Sequence, residues 1–398
     1  MKTEKIQVVH VGVSGFPYAI NASINRCNAL YTIINKIGFR VFVINNRAVD
    51  KSLFKGRIDN SGSYNGIDFE FTPSNLVKPT SFIKRRINNF SGRMNELRLI
   101  HKKSIKDNID LMIFYPTGKF TELLYYRFFS KIYKYPLIVH YVEYRSAFKS
   151  RENFLVKYND KLFDKYLTFL SDGVIPISNF LVDKLRERSD IDYIKIPPLV
   201  DFSLFNSTKM MSEKYFLYVG SVGYYDVIEL IIQSFEQIKN DDFKLYLVLS
   251  GNINSISDRI SKSIKKKTIR VFSNLEYEEL IDLYCNAKAL LIPLRDNIQD
   301  KARFPQKISE YLASKKPVIT TGFGEILFYF KDKENAIIAK KDNKEEFSKA
   351  MKFVIDNPKK ATNIGLKGYI TGLKYFDKKN YSYQINNFLI NVLNKSKD

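Results

Sequence analysis

Short apolar runs alternate along this chain with stretches whose apolar residues recur every three or four positions, the rhythm of strands and helices taken in turn. Residues 6–13 read as a buried strand ending at Gly12, and Ser14-Gly15-Phe16-Pro17 turns out of it. Ile20, Ile24, Cys27, Leu30, Tyr31, Ile34 and Ile37 then fall at helical spacing, Gly38 closes that helix, and residues 39–44 return as a second strand. Such a βαβ opening is a nucleotide-domain pattern, but its glycines do not make the dinucleotide fingerprint, so NAD binding has no support. Residues 59–72 read as a hairpin turning near Asn65-Gly66. Residues 110–115 and 136–142 are further strands around a Tyr/Phe-rich helix, and 173–178 is a strand leading into a helix from Asn179. The second half repeats the rhythm, with strands at 215–220, 243–249, 268–272 and 289–294 and helices at 227–238 and 277–286. Tyr383, Ile385, Phe388, Leu389 and Val392 give a last helix over 379–395, which either crosses back to the first half or caps the second.

Residues 304–321 hold the densest candidate chemistry. Pro305 suits a first helical turn, where its missing N–H costs nothing. Ile308, Tyr311 and Leu312 give one buried face, and Lys307 and Glu310, three apart, project together from another. Pro317 stops the helix before a buried strand, Val318-Ile319-Thr320-Thr321. A helix entered from the carboxyl edge of a parallel sheet starts where ligands bind, and its N-terminus favours phosphate. Lys307 adds a full charge there, and Glu310 is within reach of a sugar hydroxyl beside that phosphate. The plainer alternative is an amphipathic helix with a surface Lys–Glu pair. In the first half, His140 and Glu143 stand at the carboxyl end of a strand, followed by Tyr144 and Arg145. They are site candidates, or else a buried histidine and a Glu143–Arg145 ion pair.

Phe304-Pro305, Lys307, Glu310-Tyr311-Leu312-Ala313-Ser314 and Lys316-Pro317-Val318-Ile319 together resemble the donor-site signature of sugar-nucleotide glycosyltransferases of the GT-B fold, in particular glycosyltransferase family 4. Further landmarks are similar: the strand 173–178 ending in serine, the segment 193–205 with its Val200-Asp201 and Phe205, and Ser273-Asn274 after the strand 268–272. The resemblance covers nearly the whole chain. It implies an α/β protein of two Rossmann-like domains facing across a cleft, with a C-terminal helix crossing back. The expected domains are 1–205 for the acceptor, 206–378 for the nucleotide sugar, and 379–398 for the returning helix. In the family the residue matching Glu310 holds the nucleotide ribose, and basic residues nearby hold the diphosphate. The donor set so implied is Gly15, Ser221, Gly223, Asn274, Arg303, Lys307 and Glu310. His140, Arg303 and Lys307 are the expected catalytic residues, and Glu143 and Tyr144 the acceptor contacts.

The chain departs from the family in two places. The loop Ser221–Asp226 lacks the usual Arg and Lys, so Arg303 and Lys307 are expected to replace them. Ala302 stands eight residues before Glu310, where a first Glu is usual, which leaves Asp300 or Gly324-Glu325 as replacements toward the transferred sugar.

Composition bounds the rest. At 398 residues the chain is long for one core, and 45% hydrophobic residues suit a globular protein. No apolar run spans a bilayer and the first strand is too short for a signal peptide, so the expected location is cytoplasmic, peripheral on the inner face of the membrane. Cys27 and Cys285 show no metal spacing and read as reduced core residues; no metal and no other cofactor is expected. The formal charge of +22 favours anionic partners, and residues 1–200 carry 32 Lys/Arg against 18 Asp/Glu. Residues 78–106 hold nine Lys/Arg and one acid, Glu96. There Ile83, Ile87, Phe90, Met94 and Leu97 mark an amphipathic helix over 82–106 with a basic face. Its apolar stripe is expected to pack on the first domain, the alternative being insertion into a bilayer. No nucleic-acid motif interleaves these bases.

The sequence therefore points to a metal-independent glycosyltransferase acting on a nucleotide-sugar donor and a saccharide or lipid-linked acceptor, in surface polysaccharide or glycolipid synthesis. The alternatives are a nucleotide-sugar 2-epimerase of the same fold and a nonenzymatic polyanion-binding protein.

Overall fold

The computed structural model describes residues 5–19, 21–54, 56–148, 153–207 and 209–396; Ile20, expected to open the first helix, lies outside them. The chain divides into two units, 1–197 with 378–398, and 198–377. The division falls several residues before the expected position near 205, because Val200 already pairs in register with Asp377 of the second unit.

The first unit contains β1 Gln7–Val11, α1 Ala22–Lys36, β2 Arg40–Asn45, β3 Ser61–Tyr64, β4 Ile67–Phe71, α2 Phe82–Lys106, β5 Leu111–Phe114, α3 Phe120–Tyr133, β6 Leu137–Tyr141, α4 Phe154–Tyr166, β7 Gly173–Pro176 and α5 Asn179–Arg186. Its sheet runs β3-β4-β2-β1-β5-β6-β7, parallel except for β3. The β3–β4 hairpin turns on Asn65 and Gly66, both left-handed at φ 51° and 76°. Asn-Gly is the pair that tolerates this geometry, and its twist matches the strands it joins. Strands are added outward on one side of β1 and then, from β5, on the other, and this switch sets a crevice at the carboxyl ends of β1 and β5. Right-handed crossovers put α2, α3 and α4 side by side on one face and α1 on the other.

The second unit contains β8 Lys214–Ser221, α6 Tyr225–Glu236, β9 Phe243–Ser250, α7 Asn254–Ser261, β10 Ile269–Phe272, α8 Tyr277–Asn286, β11 Ala289–Ile292, α9 Ile298–Ala302, α10 Lys307–Ala313, β12 Val318–Thr321, α11 Ile326–Tyr329, β13 Ile337–Ala339, α12 Lys344–Asp356 and α13 Pro358–Tyr375. Its sheet is parallel throughout, ordered β10-β9-β8-β11-β12-β13, with the switch point between β8 and β11. Phe216, Ile231, Phe235, Leu247, Leu291 and Phe347 are among the buried side chains between sheet and helices. The last helix, α14 Ser382–Lys395, packs against α1 and brings Phe388 and Val392 onto Gly173 of β7, so it belongs to the first unit.

One expectation fails at α2. Ile83, Ile87 and Phe90 are 69%, 63% and 69% exposed instead of packing on the domain. The buried face is Asn88, Gly92, Glu96, Leu99 and Ile100. Backbone contact and hydrogen bonding select it. Gly92 lies so close to Asn46 that an added Cβ would stand 2.7 Å from its carbonyl. Asn88 exchanges two hydrogen bonds with the backbone of Asn75, and Glu96 accepts from Arg93, Asn46 and Tyr126. Among the described residues no helix is long and apolar enough to cross a membrane.

Candidate active site

In the second unit the crevice at the β8/β11 switch point is lined by the loops that follow those two strands. After β8, the Ser221 hydroxyl accepts from the N–H of Gly223 and folds a tight turn that presents Tyr224. After β11, Arg295 leads into α9, whose N-cap Asn297 accepts from the N–H of Asp300. Asp300 is fully buried and accepts four bonds: from the N–H of Arg295 at 2.8 Å, its Nε at 3.0 Å and Nη2 at 3.2 Å, and from Arg303 Nη2 at 2.9 Å. The Arg303 guanidinium lies 4.3 Å from the centroid of the Tyr224 ring, and that of Arg295 lies 5.9 Å from it. Arg303 Nε is buried and has no hydrogen-bond partner among the described residues. The buried Asp300 carboxylate thus orients two guanidiniums; the exposed Asp226 lies 3.7 Å from Arg295 as a second, wetter counter-charge, and Arg303 keeps an unused donor.

Asp300 was a candidate toward the transferred sugar; the structure makes it the anchor of the two arginines. Arg295 was missed by sequence reasoning. Its signal was the position of a base just past the strand 289–294, at the switch point that only the strand order reveals.

α10 begins at Lys307, with Gln306 as N-cap and Pro305 just outside the helix. Gln306 is fixed by a bond from its amide to the carbonyl of Leu199 at 2.9 Å. Glu310 is fully buried and accepts from Tyr284 Oη and Lys307 Nζ, both at 2.9 Å. Burial, and then the neighbouring Glu310 carboxylate, hold the Tyr284 phenol well above its ordinary pKa, so it stays a donor. The Lys307 side chain keeps 21% exposure. Asn274 is exposed and left-handed at φ 55°, in the loop after β10. Glu325 is buried at the start of α11 behind Gly324, whose backbone approaches Lys301.

In the first unit, Gly15 donates its N–H to Asn45 Oδ1 at 2.9 Å and is left-handed at φ 101°; an added Cβ would meet that of Ala19 at 2.6 Å. His140, on β6, is buried and meets Tyr115 edge-on. Burial, with Arg26 and His10 nearby, pushes its pKa well below the ordinary value, so the imidazole is neutral. His10 is likewise lowered to about 3 by burial, and its Nδ1 bonds Tyr31 Oη at 2.8 Å. The fold draws His10, Cys27 and His140 together, their donor atoms within 4.8 Å of one another, although the sequence separates them widely. Glu143 pairs with Arg145 at 3.3 Å, and Tyr144 packs edge-on against Phe180 and accepts weakly from Arg188.

The family described as Glycosyl transferases group 1 matches residues 201–370, the stretch that contains this crevice. An uncharacterized glycosyltransferase of Methanocaldococcus jannaschii is 24% identical over 225 residues, 55% of this chain and 58% of that protein. The match therefore spans a little over half the length of that curated relative. Sucrose-phosphate synthase from Thermosynechococcus elongatus superposes with a TM-score of 0.81 at 14% identity, covering 98% of this chain and 100% of that one. Anabaena HepE in complex with UDP-glucose gives 0.70 at 13% identity, covering 97% and 100%. The pneumococcal O-GlcNAc transferase GtfA in complex with UDP and GlcNAc gives 0.65 at 10%, covering 98% and 99%. This likeness places the chain in the GT-B fold.

Proposed function

We propose that the chain is a glycosyltransferase that moves a sugar from a nucleoside-diphosphate sugar to a hydroxyl of a saccharide or lipid-linked acceptor. The reading includes retention of anomeric configuration and a role in bacterial surface polysaccharide or glycolipid synthesis. The observation that carries it is Asp300 holding Arg295 and Arg303 at the switch-point crevice of the glycosyl transferases group 1 domain. Negative charge grows on the leaving diphosphate as the glycosidic bond breaks, and preoriented cations there lower the barrier without reorganising. In this mechanism the guanidiniums, not a metal ion, supply that charge. The ribose reaches Glu310 by displacing its partly buried partner Lys307, whose ammonium then turns to the diphosphate. HepE holds UDP-glucose and GtfA holds UDP, so uridine diphosphate sugars are the first donors to try.

The exposed apolar stripe of α2, flanked by Lys84, Arg85 and Arg86, supports docking on an anionic membrane. Basic residues at such a surface contribute about 1 kcal/mol each.

A thermal-shift screen of nucleoside diphosphates and their sugars tests the reading. A ligand at 100 times its Kd stabilises by roughly 2.7 kcal/mol, and Arg303→Gln should remove that gain. No stabilisation by any nucleotide overturns the assignment. Turnover should survive EDTA; loss restored by Mn²⁺ would replace the arginine-only mechanism.

A further inference from the structure

A polar cavity of about 290 Å³ lies in the first unit, lined by Asn46, Arg47, Arg86, Asn89, Phe90, Arg93, Lys119 and Glu122. Its walls follow from the topology: Asn46 and Arg47 follow β2, Arg86 to Arg93 come from the first half of α2, and Lys119 caps α3. All of these stand at the carboxyl edge of the sheet, beside the β1/β5 switch point.

The charges do not cancel. Arg47 pairs with Glu122 at 2.6 Å, and Arg93 pairs with Glu122 at 2.9 Å and with Glu96 at 2.7 Å. Two arginines are thus matched by two carboxylates. Arg86 and Lys119 remain, exposed and without a carboxylate partner among the described residues; Arg86 lies only against the ring of Phe82, at 5.0 Å. The ligand complementary to this balance carries two negative charges. A phosphate monoester has that charge above about pH 6 and offers three acceptor oxygens, which suit arginine forks and the amides of Asn46 and Asn89. Phe90 and Arg86 also belong to the exposed end of α2, so the cavity opens beside the apolar stripe.

We propose that this cavity binds a phosphate monoester and is the acceptor's anchoring site. That the phosphate belongs to the acceptor rests on the glycosyltransferase reading; that it binds here does not. Calorimetric titration of the full chain with glycerol 3-phosphate tests the site. The Arg86→Gln/Lys119→Gln variant, altered only at exposed positions, should lose at least tenfold in affinity while its nucleoside-diphosphate affinity is unchanged. Arg303→Gln should show the reverse. No binding by the parent protein, equal affinity in the double variant, or loss in Arg303→Gln overturns the proposal. Vesicles with phosphatidic acid distinguish the source of the phosphate. If they bind more tightly than phosphatidylglycerol vesicles of equal charge, which offer only a phosphodiester, and Lys119→Gln removes that difference, the ester is a lipid headgroup; no difference between the two vesicles assigns a water-soluble ester. A chain that binds glycerol phosphate but no nucleotide keeps this site and refutes the donor reading.

Discussion

Asp300→Asn isolates the role of the carboxylate that holds the crevice open for an anion. The wild-type side chain is fully buried and accepts two side-chain bonds and one backbone bond from Arg295, plus one from Arg303. Asparagine keeps the shape and one oxygen but turns the other acceptor into a donor facing a guanidinium. At least two charge-assisted bonds are lost, each contributing about 1.5–3 kcal/mol. Arg295 and Arg303 keep 25% and 16% exposure, so water recovers part of the loss. The net cost should be about 2–4 kcal/mol, which at roughly 2–4 °C per kcal/mol for a unit of this size lowers Tm by about 4–16 °C. Differential scanning fluorimetry with and without a nucleoside diphosphate reads both consequences. The ligand-induced shift should shrink, because neither guanidinium is still aimed, and affinity should fall about tenfold or more. An unchanged Tm would refute the ion-pair reasoning. A lowered Tm with unchanged nucleotide affinity would reduce Asp300 to a structural residue and sever the site from the arginines.

Glu310→Gln should leave Lys307 without its carboxylate and weaken nucleotide binding, with a stability loss of about 1–3 kcal/mol; circular dichroism melts and nucleotide titration read the two separately. The buried neutral histidines make stability pH-dependent. Because the folded pKa of His10 lies near 3 and that of His140 well below normal, the unfolded chain takes up protons first, and stability falls as pH drops below about 6.5. His10 alone should cost about 2 kcal/mol by pH 5, His140 adds to the loss in the same direction, and a flat Tm between pH 7 and 5 would contradict their burial. Vesicles containing acidic phospholipid should pellet the protein in low salt and release it in high salt, while Lys84→Gln/Arg85→Gln or Ile83→Gln/Ile87→Gln weakens binding; sedimentation assays decide it. Gly365→Ala should destabilise by about 1–3 kcal/mol, since its Cβ would stand 2.7 Å from the carbonyl of Lys315 and from the Pro317 nitrogen; a neutral melt would show that α13 shifts freely.

The elements legible in the sequence were those whose signal is local. Asn65-Gly66 named its own turn, the apolar runs 289–294 and 318–321 found their strands, and residues 277–286 matched α8 end to end. That Lys307 and Glu310 share one face of a helix was also local, since three residues along that helix decide it, although the helix starts after Pro305 and not at it. Other facts depended on what lies across space. Periodicity showed that α2 has an apolar stripe, but not which side meets the protein. The close approach at Gly92 and the partners of Asn88 and Glu96 chose the polar side, and left Ile83, Ile87 and Phe90 outside. Asp300 looked available for a sugar until the fold set Arg295 and Arg303 against it. His10, Cys27 and His140 come from β1, α1 and β6, and only strand order makes them neighbours. A sequence records spacing along the chain, so it determined periodicity, turns and helical pairs. Which charges neutralise one another, and which faces stay wet, depend on distances between elements, and those the tertiary structure decided.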